Sequence, residues 1–222
     1  MERIGLFGGT FDPIHLGHIR AAREVMNGFS LDKIVFIPSS SPPHKNASGV
    51  VIAEDRLEMI RLALTGQPGF CVSDTELKRP GPSYSIDTVH YFQQNAPKET
   101  LFFLILGHDA FFEIHTWKSY QELFRIIPLI VLLRPGHPPS NGLGIHKDIA
   151  TCLKTKISRQ YRFSLKKAGY FHPDLKPVYL FSKNLVDISS TSVRNRIKKG
   201  DPIRSLVPGE VVKWISRKNL YQ

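Results

Sequence analysis

The fold of this 222-residue chain is decided by a stretch close to its first residue, which reads Gly5-Leu6-Phe7-Gly8-Gly9-Thr10-Phe11-Asp12-Pro13-Ile14-His15-Leu16-Gly17-His18. Residues 4–7 are largely apolar and predict a short strand, and the two glycines that follow predict a turn. A helix is expected to begin near His15. A strand, a glycine turn and a helix in this order place backbone N–H groups and a helix N-terminus where an anion can bind.

Two histidines mark the start of that predicted helix. His15 and His18 are three residues apart, so their side chains share one face of its first turn. Such a pair can contact a phosphate, cap the helix as structural residues, or ligate a metal ion. The metal site is the weakest interpretation because no third His, Asp or Glu is found at a ligand spacing. The glycine turn directly upstream favours phosphate contact.

The composition is that of an ordinary globular chain with excess positive charge. Hydrophobic residues make up 41%, and 30 Lys and Arg against 19 Asp and Glu give a formal net charge of +11. This excess suits anionic partners such as nucleotides, nucleic acid or a membrane surface. The two cysteines, Cys71 and Cys152, have no CxxC spacing, which argues against a disulfide framework or a thiolate zinc site.

Targeting and membrane-spanning segments are not predicted. The first residues lead directly into a strand, without the basic and then apolar pattern of a leader. The longest apolar run, 126–133, is too short to span a bilayer and contains Pro128. Together with cysteines that read as reduced thiols, these features predict a cytoplasmic protein.

Strands and helices alternate along most of the chain. Apolar runs predict further strands at 34–37, 70–73, 101–106, 129–133 and 178–181. Helical periodicity predicts helices at 16–26, 53–64, 86–94, 110–114 and 119–124. This alternation favours an α/β fold of the Rossmann-like type, a doubly wound parallel sheet with helices on both faces. A small C-terminal helical part is expected from two last helices, one starting near 188 and one at 209–217.

Polar segments follow several of the predicted strands at the point where each strand ends. They are Gly8-Gly9, Pro38 to Lys45, Gly107 to Asp109, and Arg134. Because ligands of open parallel sheets gather at the carboxyl ends of the strands, we expect these segments to meet in one site.

The segment 137–183 has a weaker pattern and holds much of the positive charge. It contains nine Lys and Arg residues against two Asp residues, with Tyr161, Phe163, Tyr170 and Phe171 between them. A basic stretch with aromatic residues can bind nucleic acid. A solvated subdomain with a few core aromatics is the more common arrangement and is our expectation here.

Two motifs resemble the signatures of the HxGH nucleotidyltransferase superfamily. The first is the segment 8–18, and the second is Ile188-Ser189-Ser190-Thr191-Ser192-Val193-Arg194, which is similar to the ISSTxxR motif. Two signatures in the expected order are far more specific than either one alone. The resemblance implies a single nucleotidyltransferase domain over 1–222, in which 137–183 is a basic insert whose structure and role the sequence leaves open.

Within the superfamily, the sequence is most similar to the bacterial nicotinate-nucleotide adenylyltransferases. Four further segments carry this similarity: Pro42-Pro43-His44-Lys45, Ser83-Tyr84-Ser85-Ile86-Asp87-Thr88, Gly107-His108-Asp109 followed by Trp117, and Leu206-Val207-Pro208 with Val211. Ser85 replaces the family's usual threonine. The resemblance covers about 1–135 and 186–220. It implies transfer of AMP from ATP to nicotinate mononucleotide, which gives deamido-NAD and pyrophosphate in NAD biosynthesis.

The resemblance also implies roles for individual residues. The expected catalytic residues are His18, His15, Lys45 and Arg194. The residues expected to bind ATP are Gly8, Gly9, Thr10, Phe11, His15, His18, Gly107, Asp109, Ser190, Thr191 and Arg194. Those expected to bind the mononucleotide are Thr10, Lys45, Tyr84, Ser85, Trp117 and Arg134. His44, Asp12 and Asp87 are expected to orient loops.

The implied reaction depends on positioning and charge stabilisation more than on a base. Its nucleophile is a phosphate monoester oxygen, which is already ionised at neutral pH, so two polyanions must be held together. Mg²⁺ is expected to arrive with ATP and to have no dedicated protein ligands. ATP and nicotinate mononucleotide are therefore the expected partners, nucleic acid and membrane are not, and a homo-oligomer is an open possibility.

Two other functions fit parts of the sequence. One is another adenylyltransferase of the superfamily, such as the phosphopantetheine type, whose chains are shorter and lack the PPHK and tryptophan-bearing segments. The other is a non-catalytic nucleotide or nucleic-acid binder that uses the basic insert.

Overall fold

A mostly parallel sheet forms the centre of the computed structural model, which describes residues 1–40, 50–133 and 143–222, without the side chain of Leu143. Within these ranges the strands are β1 (Arg3–Gly9), β2 (Lys33–Pro38), β3 (Phe70–Val72), β4 (Leu101–Gly107), β5 (Leu129–Leu132), β6 (Arg162–Ser164), β7 (Gly169–Phe171) and β8 (Val178–Phe181). Their order is β3-β2-β1-β4-β5-β8-β7-β6. All neighbours from β3 to β8 pair in parallel, whereas β7 and β6 are antiparallel additions at one edge.

The helices fall where the apolar periodicity predicts them, with a few additions. They are α1 (Leu16–Gly28), α2 (Ala53–Leu64), α3 (Thr75–Lys78), α4 (Ser85–Gln94), α5 (His108–Glu113), α6 (Tyr120–Ile126), α7 (Leu143–Cys152), α8 (Ser190–Lys198) and α9 (Gly209–Arg217). A 3-10 turn spans Ile114–Thr116, and a π-helical turn spans Leu153–Ile157. The sequence interpretation missed α3, β6 and β7, which have only three or four residues each, and α7, which lies in the segment 137–183 where the pattern is weak.

Both faces of the sheet are buried, as the doubly wound prediction requires. Side chains alternate along β1, so that Ile4 and Leu6 join the core under α4, α5 and α6, while Phe7 joins the core under α1, α2, α8 and α9. A strand that is covered on both faces has no solvent-facing side, which explains the nearly continuous apolar run of β4. The Rossmann-like α/β prediction is therefore confirmed.

The strand order places a crevice at the carboxyl ends of β1 and β4. Chain connections run outward from β1 through β2 to β3, and outward from β4 through β5 to β8. Helices that follow β1 and β4 therefore leave on opposite faces, and a ligand can enter between them. Gly9 ends β1 and Gly107 ends β4, so both predicted glycine turns lie at this crevice.

The described part of the basic insert packs onto the same sheet. Tyr161 and Tyr170 are 1% and 5% exposed, and their hydroxyls donate to the carbonyls of Lys176 and His146. Phe163 is 44% exposed. Two of the four aromatics thus belong to the core, which is the arrangement expected of a solvated subdomain.

None of the helices in the described ranges has the length and apolar character that crossing a bilayer demands.

Candidate nucleotide-binding site

The two histidines of the first motif cap α1 and stack on each other. His15 Nδ1 accepts a hydrogen bond from the backbone N–H of His18, and His18 Nδ1 accepts one from the backbone N–H of His15, both at 3.3 Å. Their ring centroids are 3.6 Å apart. The pair is a reciprocal capping box made of imidazoles. The capping interpretation is thus confirmed, and it does not compete with phosphate contact, because capping uses only Nδ1 of each ring.

The glycine between the histidines makes this stack possible. A Cβ atom on Gly17 would lie 3.0 Å from His15 Nδ1 and 3.3 Å from the Cβ of Ile188. His15 is 2% exposed, so its ring has little room to move away. The backbone N–H of Leu16 donates to the Leu206 carbonyl at 2.8 Å, which satisfies a first-turn donor that the helix leaves unpaired. The motif Leu206-Val207-Pro208 therefore supports the start of α1.

The second motif begins α8 with a capping box of its own. Ser189 Oγ accepts from the Ser192 N–H at 3.0 Å, and Ser192 Oγ accepts from the Ser189 N–H at 3.4 Å. Neither α1 nor α8 carries an acidic residue in its first turn, whereas α2, α4 and α9 all do. The partial positive charge at the starts of α1 and α8 is therefore not neutralised by a local carboxylate of the helix itself.

Hydrogen bonds join the two motifs across nearly the whole length of the sequence. Ser190 Oγ donates to the Pro13 carbonyl at 3.0 Å, and Arg194 Nη1 donates to the Asp12 carbonyl at 2.6 Å. Arg194 Nη2 also donates to Thr191 Oγ1 at 3.2 Å. The structure therefore brings the two motifs together, and the N-termini of α1 and α8 lie at one edge of the sheet.

Asp12 connects four segments around this edge. It is 5% exposed. Its Oδ1 accepts from the Tyr221 hydroxyl at 2.7 Å and from the Val51 N–H at 3.3 Å, and its Oδ2 lies 3.7 Å from Arg194 Nη1. Burial is the main cause that raises the pKa of Tyr221, and the hydrogen bond to Asp12 adds to it. The hydroxyl therefore stays protonated and donates. This agrees with the prediction that Asp12 orients loops.

A buried arginine that the sequence interpretation missed organises the same edge. Arg56 is 1% exposed and donates to the carbonyls of Thr10, Ser39 and Val51 at 2.7, 2.7 and 2.9 Å. Burial lowers the pKa of Arg56, and the nearby carboxylate of Asp12 opposes this effect. Arg56 thereby ties the end of β1 to the end of β2 and the start of α2.

A sequence signal for Arg56 was present. Arg56 lies four and seven residues before Ile60 and Ala63, two residues of the apolar stripe of α2, so its position predicts burial although its residue type does not.

Three of the predicted mononucleotide residues, Tyr84, Ser85 and Trp117, lie on the other face of the sheet. Tyr84 is the N-cap of α4, Ser85 is its first residue, and Trp117 follows the 3-10 turn. Tyr84 and Trp117 are partly buried against the core under α4, α5 and α6. The ammonium group of Lys118 lies 4.8 Å from the centre of the Tyr84 ring and pairs with Asp87 at 3.1 Å.

A second missed residue, Glu76, supports this half. It is 7% exposed and accepts from Thr88 Oγ1 at 2.6 Å. Burial raises the pKa of Glu76, and hydrogen bonds from Thr88 and Ser83 oppose that rise. Ser83 Oγ in turn accepts from the Ser40 N–H at 2.9 Å. The segment before Ser85 is thus attached to the end of β2, where Arg56 also binds.

The remaining predicted residues divide into three groups. Gly8, Gly9, Thr10 and Phe11 lie at the carboxyl end of β1, where the buried Phe11 ring meets His18 edge-on at 5.0 Å. Gly107 ends β4, and Asp109 is exposed in the first turn of α5. Lys45, His44 and Arg134 lie outside the described residues. Over the ranges that are described, no three His, Cys, Asp or Glu side chains are grouped to hold a metal ion.

The strand order, the glycine turn and the two helix N-termini at one edge define a nucleotide-binding α/β protein. Comparison with known proteins narrows this class, because residues 6–196 match the cytidylyltransferase-like family. The chain belongs to this family and, within it, to the nicotinate-nucleotide adenylyltransferases.

Relatives of similar length support that placement. A protein of Desulfatibacillum aliphaticivorans named a probable nicotinate-nucleotide adenylyltransferase is 41% identical over 222 residues, which cover 99% of each chain. A Geobacter sulfurreducens protein of the same name is 37% identical over 219 residues, 99% of this chain and 98% of its own. A solved structure of Plasmodium falciparum nicotinic acid mononucleotide adenylyltransferase complexed with NaAD has the same fold. Its TM-score is 0.73 at 18% identity, with 100% and 98% of the two chains covered.

The close approach at Gly17 predicts a destabilising effect of Gly17→Ala. Alanine adds about 1 kcal/mol of helix propensity, but its methyl group would press on the buried His15 ring, and such overpacking costs about 1–3 kcal/mol. We expect a net loss of up to about 2 kcal/mol in the free energy of unfolding, measured in urea. Leu16→Ala is the matched control, because Leu16 is 37% exposed. A Gly17→Ala variant as stable as the wild type would contradict this prediction, because it would show that the His15 ring can move aside without cost.

Arg56→Met is expected to destabilise the chain strongly. The substitution keeps much of the side-chain volume but leaves three carbonyls without their donor, at about 1–3 kcal/mol for each buried group left unsatisfied. Arg61→Met is the control on the same helix, because the Arg61 side chain is 51% exposed and its loss is expected to change stability by about 0.5 kcal/mol or less. Equal urea midpoints for the two variants would contradict the role assigned to Arg56.

Proposed function

We propose that this chain is an adenylyltransferase that transfers AMP from ATP to nicotinate mononucleotide, giving deamido-NAD and pyrophosphate in NAD biosynthesis. The observation that carries the proposal is the joining of the α1 and α8 N-termini by the bonds from Ser190 to Pro13 and from Arg194 to Asp12. Two helix starts without acidic residues suit a triphosphate. The similarity to nicotinate-nucleotide adenylyltransferases over the full length supports the choice of acceptor.

The reaction is a displacement at the α-phosphorus of ATP. An ionised oxygen of the mononucleotide phosphate forms a new bond to that phosphorus, and the bond to the bridging oxygen of the β-phosphate breaks. Pyrophosphate leaves with the electron pair. Because the nucleophile needs no deprotonation, the protein supplies alignment and charge stabilisation.

His18 is the proposed donor to the α-phosphate, with His15 beside it at the triphosphate. Each Nδ1 accepts a backbone hydrogen bond, so the neutral ring carries its hydrogen on Nε2, the atom that can donate to a phosphate oxygen. The capping box holds both rings in fixed orientations, which favours electrostatic stabilisation without reorganisation. Arg194, Ser190 and Thr191 hold the phosphates from the start of α8.

The rest of the nucleotide is assigned to the crevice between β1 and β4. The backbone of Gly8, Gly9, Thr10 and Phe11 contacts phosphates, and Gly107 and Asp109 receive the adenosine ribose. The exposed carboxylate of Asp109 can accept hydrogen bonds from the ribose diol. Lys45 is proposed to reach the phosphates from the loop that follows β2.

The acceptor is assigned to the face that carries α4. The nicotinate carboxylate is received by Ser85 and neighbouring N–H groups at the start of α4, where Tyr84 is the N-cap. The Trp117 ring stacks on the pyridine ring. Thr10, Lys45 and Arg134 are proposed to contact the mononucleotide phosphate.

A divalent cation completes the substrate, as it generally does for nucleotidyltransferases, and we propose that it is Mg²⁺ carried with ATP. The described residues offer no group of three ligands, so ATP phosphates would hold the ion. When bound, it shares the negative charge of the transferring and leaving groups.

The proposal extends to the whole chain. We take 1–222 as a single nucleotidyltransferase domain, supported by the strands β6 to β8 of the 137–183 insert, which extend the same sheet. The partners are ATP and the mononucleotide, with neither nucleic acid nor a membrane, and a homo-oligomer is compatible with this. A cytoplasmic location is supported by the free thiols of Cys71 and Cys152.

Product formation with three acceptors tests the function. We expect deamido-NAD from ATP and nicotinate mononucleotide, less product from nicotinamide mononucleotide, and none from phosphopantetheine. In this assay His18→Ala should lower kcat by about 10²-fold or more, as loss of a transition-state donor does, while ATP still binds. His90→Ala, a surface histidine on α4, is the control.

Two other results, one from this assay and one from a nucleic-acid binding measurement, would decide against the proposal. Turnover of phosphopantetheine alone would identify a different adenylyltransferase. Tight, strongly salt-dependent RNA or DNA binding that survives His18→Ala would identify a nucleic-acid binder.

Trp117→Ala is expected to affect one substrate only. Loss of the stacking surface should raise the KM for nicotinate mononucleotide about ten-fold, which corresponds to about 1.4 kcal/mol of aromatic contact, and should leave the KM for ATP within about two-fold. Trp117→Phe should restore most of the affinity. Equal increases in both KM values would mean that Trp117 supports the core instead.

A further inference from the structure

We propose that Tyr221 is a positioning residue for the ATP phosphates, because its hydroxyl holds the Asp12 carboxylate in the orientation that leaves Arg194 available to the nucleotide. The inference rests on the proposed function in one respect, namely that Arg194 binds ATP.

Tyr221 reaches the nucleotide edge from beyond α9. Its hydroxyl lies 2.7 Å from Asp12 Oδ1, although the two residues are 209 positions apart in the sequence. The ring is partly buried against the core that contains Val211 and Ile215 of α9. The Leu220 N–H donates to the Ile215 carbonyl at 3.1 Å, which fixes the turn that directs Tyr221 inward. Burial and the contact with Asp12 raise the pKa of Tyr221, so it acts as a donor throughout the neutral range.

The two carboxylate oxygens of Asp12 have different partners. Oδ1 accepts from the Tyr221 hydroxyl and the Val51 N–H, whereas Oδ2 faces Arg194 Nη1 at 3.7 Å. That distance is too long for a hydrogen bond. Arg194 Nη1 donates instead to the backbone carbonyl of Asp12 at 2.6 Å. The guanidinium is thus oriented by a neutral carbonyl and is not neutralised by a close bidentate pair.

Removal of the hydroxyl changes this balance. Oδ1 would keep only the 3.3 Å contact from the Val51 N–H, so the carboxylate could turn toward Arg194. A close carboxylate would then compete with the ATP phosphates for the same donors. A hydroxyl that touches no substrate thereby controls how much of the Arg194 charge is available to ATP.

Tyr221→Phe tests the proposal, because it should weaken the binding of ATP without changing the KM for nicotinate mononucleotide. We expect the KM and the Kd for ATP to rise about three- to ten-fold, with the KM for nicotinate mononucleotide unchanged and the fold retained by circular dichroism. Tyr91→Phe is the matched control, since it removes a hydroxyl from a side chain on α4 that is 45% exposed. Equal ATP affinities for Tyr221→Phe and the wild type would overturn the proposal.

A double-mutant cycle shows whether Tyr221 acts through Asp12 and Arg194. In an Arg194→Lys or Asp12→Asn background, Tyr221→Phe should change ATP affinity by less than about two-fold. Additive losses in both backgrounds would mean that Tyr221 acts through the fold alone, and would overturn the inference.

The Kd for ATP is measured by calorimetry without an acceptor, so the cycle can be read even if nicotinate mononucleotide is not converted. Failure to form deamido-NAD would overturn the proposed function only. A wild-type chain that does not bind ATP would overturn both.

Discussion

Everything at the nucleotide edge depends on the contact between α8 and the loop after β1. Arg194 and Ser190 donate to the carbonyls of Asp12 and Pro13, residues that are 182 and 177 positions away in the sequence. Closing a loop of that size by these bonds alone would be entropically unfavourable. The bonds are possible because the sheet and the helices packed on it hold β1 and α8 close together. Val193 of α8 is fully buried in the same core as Phe7 of β1.

The same sheet explains why polar groups collect at one edge. With helices over both faces, the chain can expose functional backbone and side chains only at the strand ends. Parallel pairing from β3 to β8 aligns the carboxyl ends of all these strands, so loops from distant parts of the sequence become neighbours. The buried Arg56 and Glu76 then join those loops to one another through backbone carbonyls and hydroxyls. These two charged residues sit beneath the proposed binding residues and hold the loops that carry them.

Sequence patterns were sufficient for the elements that bury a long apolar face. The helices 53–64 and 209–217 and the strand 178–181 have the predicted bounds. Both helices show a clear apolar period, and the strand is a short continuous apolar run. The meeting of the two motifs was also predictable, because the family resemblance assigns residues of both motifs to ATP. The position of Arg56 on α2 signals its burial, but the hydrogen-bond partners of Arg56, Glu76 and Tyr221 were not predictable. A buried charge or a hydroxyl bond depends on partners that are distant in sequence, and residue type alone predicts exposure for Arg and Glu.

The start of the helix distinguishes the two proposed phosphate-binding helices from α2, α4 and α9. α2, α4 and α9 place Glu or Asp in their first turns, which stabilises the positive helix end by about 0.3–1 kcal/mol each. α1 and α8 lack that stabilisation and have neutral caps instead. The cap of α1 is an imidazole pair, and the cap of α8 is a serine pair. A carboxylate in either first turn would repel a triphosphate, whereas a neutral cap satisfies the orphan N–H groups without adding negative charge. The same reasoning explains why Asp12 is buried and held by hydrogen bonds: its charge then compensates the buried Arg56 from beneath, while Arg194 remains available to anions.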